Sequence, residues 1–238
     1  MLSSSQDWNP AVVDAWPVGS LLASLPDAAR QRLLQRGTTL RYSSPSKIIF
    51  REGDKSRFVV VLLRGVVKVT ASVPDGGPDA LLAIRMGGDA VGEFAALDQL
   101  PRSATVTTCG PVVAQVIKSD DFIDCIRRDP DISHAVSRAI AAKMRVATAR
   151  RVDFSGSDVP TRVARVLLQL VDAYGRTEGN QVVLKSPLSQ DEIASLAVAS
   201  RPAVHRVLRT LRERGVVSTG YRSITVTDLS RLREEAYP

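Results

Sequence analysis

The chain contains the stretch Val91-Gly92-Glu93-Phe94-Ala95-Ala96-Leu97, followed closely by Pro101-Arg102-Ser103-Ala104-Thr105. A glycine such as Gly92 lets the backbone approach a phosphate without a Cβ in the way. A short helix after the glycine would point free N–H groups at the anion. Arg102 can pair with the phosphate through a planar fork of donors, and the Glu93 carboxylate can accept from a ribose hydroxyl. The stretch therefore predicts a site that holds a phosphate and a ribose.

Length, composition and charge limit the class of protein. The chain has 238 residues, enough for one large domain or two modest ones, and its 44% hydrophobic and 24% charged residues are usual for a globular protein. The formal net charge of +7 favours an acidic partner such as nucleic acid. Cys109 and Cys125 are too few for a disulfide framework or an iron–sulfur cluster, and His134 and His205 offer little to zinc or haem. We therefore expect no metal cofactor.

The first 18 residues show no targeting pattern. They lack the basic and apolar regions of a signal peptide, and no apolar run in the chain reaches the ~20 residues of a membrane span. We therefore expect a cytoplasmic protein without a membrane segment. Residues 1–18 are interpreted as a flexible arm, or as an arm that docks through Trp8 and Trp16.

Short apolar segments at spacings near ten residues follow the arm. After a predicted helix at 26–34, these segments lie at 47–50, 58–63, 66–69, 80–86, 103–108 and 112–117. A hairpin loop rich in Pro and Gly is predicted at 74–78. Several short strands at this spacing are typical of a β-barrel or sandwich.

Helical patterns replace the strands after Ser119, which we interpret as an N-cap. Asp129-Pro130 ends that helix and begins a longer one of about twenty residues. An apolar stripe runs along it at Ile132, Val136, Ile140 and Met144. The stripe could pack on its own barrel or on a twin helix in a dimer. We favour the dimer, because a lone barrel does not require so long a helix.

The last third of the chain has the pattern of short helices separated by tight turns. A flexible boundary is predicted at 154–158, and Asp158 can cap a helix that follows at 159–174. Ser189 and Glu192 then form a capping box at the start of another helix.

A second short helix begins at the cap Ser200 and ends at Gly215. Its outward face carries Arg201, His205, Arg206, Arg209 and Arg212. Two β segments follow, at 216–218 and 224–226, around a turn at Gly220. The arrangement predicts a winged helix-turn-helix whose second helix enters the DNA major groove.

In their order along the chain, these motifs resemble the cyclic-AMP receptor (CRP/FNR) family of bacterial transcription regulators, from about Gly19 onward. The resemblance depends on Gly53-Asp54, Gly65-Val66-Val67-Lys68-Val69, Gly92-Glu93, Pro101-Arg102-Ser103-Ala104-Thr105, Asp129-Pro130-Asp131-Ile132, residues 157–164, and Ser200-Arg201 with Val204 and Arg206. It implies an α+β fold with a cyclic-nucleotide-binding β-roll, a long dimerisation helix and a C-terminal winged helix-turn-helix. We accordingly divide the chain into an arm (1–18), the roll (19–128), the dimerisation helix and hinge (129–155) and a DNA-binding domain (156–238).

The resemblance also implies two sets of site residues. Glu93 would contact the ribose, and Arg102 and Ser103 would hold the phosphate of a cyclic nucleotide, expected to be cyclic AMP. The nucleotide set is Gly92, Glu93, Phe94, Ala95, Arg102, Ser103, Ala104 and Thr148. The DNA set is Ser189, Gln190, Ser200, Arg201, Pro202, His205, Arg206 and Arg209. Within the DNA set, the arginines at 201 and 206 would read base edges, most simply guanine, and the Ser and Gln side chains would contact phosphates.

Three positions depart from the family pattern. The pair expected to contact adenine from the long helix is Ala147-Thr148, which lacks one polar side chain. Pro202 stands where a Glu usually follows the first arginine, so the operator should differ from the usual one. Val198 stands where the turn between the two helices usually has Gly. A left-handed conformation at Val198 would strain the backbone by roughly 1–3 kcal/mol.

These observations predict a homodimer that binds double-stranded DNA and regulates transcription under the control of a cyclic nucleotide, with RNA polymerase as a further candidate partner. An alternative, motivated by Ala147, is a regulator of the same family that binds DNA without a cyclic nucleotide or with another effector. A third hypothesis is a nucleotide-sensing adaptor that binds a protein and keeps a vestigial DNA domain. No nucleophile–base pair or metal constellation in the sequence indicates an enzyme.

Overall fold

The structure, a computed structural model, describes residues 16–238 apart from 74–75, 77–78, 185–188 and 221–222. Its fold is mixed α and β, with an N-terminal β-roll, a long helix and a C-terminal winged helix-turn-helix. Trp8 and most of the hairpin loop predicted at 74–78 lie outside the described residues. Trp16 lies within them, and its indole Nε1 donates to the carbonyl of Leu63 at 3.1 Å.

A strand-rich N-terminal part is followed by a long helix and then by a C-terminal part of helices and short strands. The N-terminal part contains α1 (Asp27–Gln35), β1 (Gly37–Tyr42), β2 (Ile48–Phe50), β3 (Phe58–Arg64), β4 (Val66–Ala71), β5 (Ala80–Met86), β6 (Ala90–Val91), α2 (Glu93–Asp98), β7 (Thr105–Thr108), β8 (Val112–Lys118) and α3 (Ser119–Arg128). The long helix is α4 (Pro130–Gly156). The C-terminal part contains α5 (Val159–Tyr174), β9 (Arg176–Glu178), β10 (Gln181–Leu184), α6 (Gln190–Leu196), α7 (Arg201–Glu213), β11 (Val217–Gly220), β12 (Ser223–Val226) and α8 (Leu229–Ala236).

The roll is built from two antiparallel sheets, in the orders β1-β8-β3-β6 and β2-β7-β4-β5. Strand β3 is apolar from Phe58 to Leu63, and the residues from Val59 to Leu63 are buried whichever face of the sheet they lie on. Val60 and Leu62 pack inside the roll, whereas Val59, Val61 and Leu63 pack against the helices outside it. A strand buried on both faces has no solvated side, and this explains its continuous apolar run.

The junction between α3 and α4 is fixed by Asp129. Its carboxylate accepts from the backbone N–H groups of Asp131 and Ile132, and it also accepts from Arg32 Nε at 2.8 Å. The hydrogen bond from Arg32 is the main cause that lowers the pKa of Asp129. The interpretation of Ser119 as an N-cap is wrong: Ser119 is the first residue of α3, the cap position is Lys118, and no side chain caps this helix.

Helix α4 is 27 residues long, longer than predicted, and its apolar stripe divides into two parts. Ile132 and Val136 are buried against the roll of their own chain, and Ile140 packs at the edge of that core. The expectation that the whole stripe faces a twin helix is therefore wrong for its first half. Met144 and Val152 are 58% and 65% exposed, so only the second half is free to meet a partner. In the described ranges, no helix, including α4, has the length and hydropathy required to cross a membrane.

The C-terminal domain begins at a tight junction with α4. Asp158 caps α5 as predicted, with its side chain accepting from the N–H of Thr161. Arg165 of α5 donates to Asp153 at 2.5 Å and to Ser157 at 2.9 Å, which ties the end of α4 to α5. The sheet of this domain has the order β11-β12-β10-β9. The sequence analysis missed β9 and β10, because β9 is fully exposed and β10 has only four residues.

Strand β5 connects the roll to the C-terminal domain. Leu81 and Ile84 of β5 are buried in the same apolar core as helices α5, α6 and α7. The N–H of Leu81 donates to Ser195 Oγ of α6 at 2.9 Å, and Lys68 Nζ of the adjacent strand lies 3.6 Å from Glu192. The edge of this sheet is therefore covered by the first helix of the helix-turn-helix.

Candidate ligand cavity and nucleic-acid interface

A cavity of about 210 Å³ lies between the roll and α4. Its wall is formed by strands of the roll, by α2 and the loop that follows it, and by the second half of α4. Of the residues predicted for the nucleotide site, it brings together Gly92, Glu93, Phe94, Ala95, Arg102, Ser103 and Ala104. Thr148 is exposed and is not part of the wall that the described residues of this chain form.

Gly92 is required by its backbone and by its neighbour. It has a left-handed φ of 82° and stands at the N-cap of α2. A Cβ at this position would lie 2.3 Å from Arg102 Nη1. The predicted short helix after the glycine is confirmed, and its first residues, Glu93, Phe94 and Ala95, line the cavity.

Arg102 is buried, with 3% of its surface exposed, and it is already engaged by the roll. Its guanidinium donates to the carbonyls of Gly92 at 2.9 Å and Phe58 at 2.6 Å, and to Ser56 Oγ at 3.1 Å. It stacks on the ring of Phe50 at 4.1 Å. Burial lowers the pKa of Arg102, and nearby carboxylates offset part of this effect. A guanidinium has five N–H donors, and three are used here, so two remain for an anion. Replacing Arg102 would also leave the carbonyls of Gly92 and Phe58 without this hydrogen-bond donor.

Glu93 is joined to the long helix by an ion pair that the sequence analysis missed. Lys143 Nζ of α4 lies 2.6 Å from Glu93 Oε1 and also donates to the carbonyl of Ala90 at 2.8 Å. Both side chains are largely buried, so each charge depends on the other. Nothing in the sequence marked Lys143 as a residue of the site, because it is one of many cations and lies fifty residues from Glu93. The pair places a roll residue and an α4 residue on one side of the cavity.

Residues of β5 and later residues of α4 also belong to the cavity wall. Ala147, predicted as a departure from the family pattern, lines it together with Met144. Arg85 of β5 and Arg150 of α4 also line it, and Arg150 Nη1 donates to the carbonyl of Leu82. The cavity wall therefore carries Glu93 and Arg102 of the phosphate-and-ribose motif and, in addition, two arginines that the sequence analysis did not assign to it.

The second predicted site lies on α6 and α7, with caps as the sequence indicated. Ser189 and Glu192 form the capping box, and Ser200 Oγ accepts from the N–H of Ala203. Val204, Leu208 and Leu211 of α7 are buried, so the opposite face of the helix is directed to solvent. That exposed face carries Arg201, Pro202, His205, Arg206 and Arg209. Ser200 and Ser189 are exposed, and Gln190 is half-buried.

The arginines of α7 differ in how free they are to contact DNA. Arg209 pairs with Glu213 at 2.8 Å, and Arg201 lies 3.5 Å from Asp191. The hydrogen bond and charge of Glu213 raise the pKa of Arg209. In the described part of the chain, Arg206 forms no ion pair. Arg206 is therefore the arginine of the predicted set that is most available to a base edge.

The turn between α6 and α7 contains Val198 in the left-handed region, with φ 48°. The conformation that the family pattern implied for this position is therefore present, although the residue is β-branched. Arg162 of α5 donates to the carbonyls of Ala197 at 2.9 Å and Val198 at 3.1 Å, which holds the turn in place.

The fold, with a cavity in its N-terminal domain and a C-terminal helix-turn-helix, defines a class of two-domain DNA-binding protein, and comparisons with known proteins identify the family. Residues 40–129 match the cyclic nucleotide-binding domain, and residues 161–235 match the Crp-like helix-turn-helix domain. The chain is 33% identical over 188 residues to the CRP-like cAMP-activated global transcriptional regulator of Mycobacterium tuberculosis, covering 79% of this chain and 84% of that protein. The chain belongs to the CRP/FNR family of DNA-binding transcription regulators.

Solved structures agree with this assignment. A CRP-family transcriptional regulator from Thermus thermophilus superposes with a TM-score of 0.67 at 28% identity, covering 84% of this chain and 97% of that one. The c-di-GMP responsive regulator CLP of Xanthomonas campestris has the same fold, with a TM-score of 0.67 at 20% identity, covering 84% of this chain and 99% of that one. Proteins of this fold are thus named for different effectors.

Proposed function

We propose that the protein is a homodimeric transcription regulator in the bacterial cytoplasm whose operator binding is modulated by a cyclic nucleotide held between the roll and α4. The observation that carries the proposal is the composition of the cavity wall. Glu93, Arg102 and Ser103 of the roll share it with Lys143 of α4. A ligand in this cavity would touch the roll and the long helix at once, and could therefore shift one relative to the other.

The phosphate-and-ribose side suits any 3′,5′-cyclic nucleotide. Ser103 is exposed to the cavity and Arg102 has donors to spare, so both can bind a phosphate oxygen. Glu93 can accept from a ribose hydroxyl beside its ion pair with Lys143. Cyclic AMP is the effector in the name of the mycobacterial relative, and the sequence resemblance also indicated it. None of these contacts distinguishes one base from another.

The exposed second half of α4 supports the dimer. Residues on this side recur at alternating spacings of three and four: Ser137, Ala141, Met144, Thr148, Arg151 and Ser155. Such spacing is that of a two-helix seam, and the small side chains of Ser137, Ala141, Thr148 and Ser155 would let two helices approach closely. Thr148 belongs to this seam, which explains why it lies outside the cavity of its own chain.

The nucleotide assignment is tested by isothermal titration calorimetry with cyclic AMP, cyclic GMP and 5′-AMP. We expect at least one cyclic nucleotide to bind and 5′-AMP to bind much more weakly. Ser103→Asp should abolish binding, because it places a negative charge beside the phosphate. Ser103→Ala should weaken binding by about 10- to 150-fold, the value of one hydrogen bond to a charged group. Unchanged binding by Ser103→Asp would contradict the phosphate assignment.

A second candidate function is a regulator of this family that binds DNA without a cyclic nucleotide. It is favoured by the internal contacts of the site: Arg102 is bound by two carbonyls and Glu93 by Lys143, so the cavity wall is satisfied with no ligand present. DNA binding at full strength in the absence of any nucleotide would support this alternative over the main proposal.

A further inference from the structure

Besides Arg102, the cavity wall bears two further arginines, Arg85 of β5 and Arg150 of α4. We propose that these arginines make the cavity selective for guanine over adenine, so that the effector is a guanine cyclic nucleotide. The inference rests on the proposed function, since it names the base of the nucleotide held in the same cavity.

A β-bulge in β5 directs Arg85 to the cavity. Val69 pairs with Ala83, but the next pair is Thr70 with Leu81, so Leu82 is the extra residue. Past the bulge, Ala83 and Arg85 lie two apart on one face of the strand, and both line the cavity. Ile84 between them is buried in the core of the C-terminal domain. Arg85 therefore belongs to the cavity wall through the geometry of its strand.

Arg150 marks the far end of the cavity along α4. Lys143 contacts the ribose side through Glu93, and Arg150 contacts β5 through the carbonyl of Leu82. The two residues are seven positions apart, which is about 10 Å along a helix axis. This distance is comparable to the length of a mononucleotide. A base whose ribose lies at Glu93 would thus extend toward Arg85 and Arg150.

The hydrogen-bonding groups at this end match guanine and not adenine. The Hoogsteen edge of guanine presents two acceptors, O6 and N7, whereas adenine presents the acceptor N7 and a donor amino group. Side chains of the described residues at this end are arginines, which only donate, and apolar groups such as Leu82, Met144 and Ala147. The carbonyl of Leu82 already accepts from Arg150. An adenine amino group would lack an acceptor among these side chains, and it would face cationic donors.

The expected size of the preference follows from the arginine–guanine pair. One bidentate pair of this kind discriminates between bases by about 5- to 150-fold. Because both arginines would contact guanine only at its acceptors O6 and N7, the amino group at position 2 of guanine should contribute little. Inosine 3′,5′-cyclic monophosphate has O6 and N7 but lacks that amino group, so it should bind like cyclic GMP.

The test is calorimetry of the full chain with cyclic GMP, cyclic IMP and cyclic AMP. We expect cyclic GMP and cyclic IMP to bind at least about tenfold more tightly than cyclic AMP. Arg85→Met and Arg150→Met should each weaken cyclic GMP several-fold and leave cyclic AMP unchanged or improved. Arg138→Met, an exposed arginine of α4 outside the cavity, is the matched control and should change none of the affinities.

Two results would overturn the inference in different ways. Equal binding of the three nucleotides, or tighter binding of cyclic AMP, would refute guanine selectivity and leave the proposed function intact. Failure of all three nucleotides to bind would refute the proposed function together with it. If a variant does not fold, the preference of the wild-type chain among the three ligands still decides the question.

Discussion

Val198 shows how a single residue stores strain where the two DNA-binding helices meet. A β-branched residue is disfavoured at its φ of 48°, and it is 48% exposed, so it gains little from packing. The conformation is imposed from outside the turn, because Arg162 clasps the carbonyls of Ala197 and Val198. Strain of this kind persists only where the surrounding structure fixes it.

Replacing Val198 with Gly should therefore stabilise the protein. Glycine adopts the left-handed region without steric cost, which relieves roughly 1–2 kcal/mol, and part of this gain is offset by its greater freedom in the unfolded chain. We expect a net increase of about 1 kcal/mol in the free energy of unfolding, measured by urea denaturation. Thr210→Gly is the control: Thr210 is also β-branched and exposed but lies inside helix α7, so glycine there should lower stability by a few tenths of a kcal/mol. A loss of stability in both variants would show that Val198 is not strained.

Four residues of the cavity illustrate what the sequence could and could not disclose about the site. Gly92 and Arg102 were predictable, because a glycine and an arginine in a short local motif carry chemistry that few other patterns require. Lys143 and Arg85 were not, since each reaches the cavity only through tertiary packing of a helix or a bulged strand. A cation in an ordinary helical or strand pattern is most simply interpreted as solvated surface.

Among the elements, strand β5 contributes both to the cavity wall and to the core of the C-terminal domain. One face of the strand lines the cavity through Ala83 and Arg85, and Leu81 and Ile84 are buried in the core of the C-terminal domain. A groove of about 1,320 Å³ beside this contact is bounded by the roll and by the N-terminal ends of α6 and α7, including Ser200. A DNA duplex docked on Ser200 would share this space with the roll. The contact between β5 and α6 should therefore oppose DNA binding.

Weakening this contact should raise the DNA affinity of the ligand-free protein. Ser195→Ala removes the acceptor for the N–H of Leu81, a loss of about 0.5–1.5 kcal/mol, which corresponds to about 2- to 10-fold tighter DNA binding if the contact must break. Fluorescence anisotropy with a labelled duplex measures the change. Thr177→Ala, on the exposed strand β9 of the same domain, should leave the affinity unaltered. Unchanged or weaker binding by Ser195→Ala would show that the contact persists on DNA.

Element boundaries followed from the sequence where a cap or a break is chemically specific. Asp129-Pro130, Asp158, Ser189 and Ser200 each mark a helix start that the structure confirms. It was harder to predict which elements pack together, because an apolar stripe on a helix does not indicate which surface covers it. Ile132 and Val136 were assigned to a dimer seam, yet they are buried against α1, α3 and β3 of the same chain.

At the scale of the whole molecule, the DNA-binding face can be tested by comparing two arginines of α7. Arg206→Ala should weaken binding to a selected operator by about 1–3 kcal/mol and affect random DNA much less, because an arginine free of ion pairs can read a base edge. Arg209→Ala should reduce operator affinity less, because Arg209 must break its ion pair with Glu213 before it can contact DNA. The measurement is anisotropy titration on both duplexes over a range of salt concentrations. Equal loss on both duplexes would assign Arg206 to phosphate contact alone.

The central claim is that a cyclic nucleotide in the cavity controls DNA binding. The most direct measurement is the dissociation constant for a duplex selected from a random pool, determined by anisotropy with and without saturating cyclic GMP or cyclic AMP. We expect at least one nucleotide to change the dissociation constant of the wild-type protein by about 5- to 150-fold, and neither to change that of Ser103→Asp. The same dissociation constant for the wild-type protein with and without either nucleotide would contradict the account.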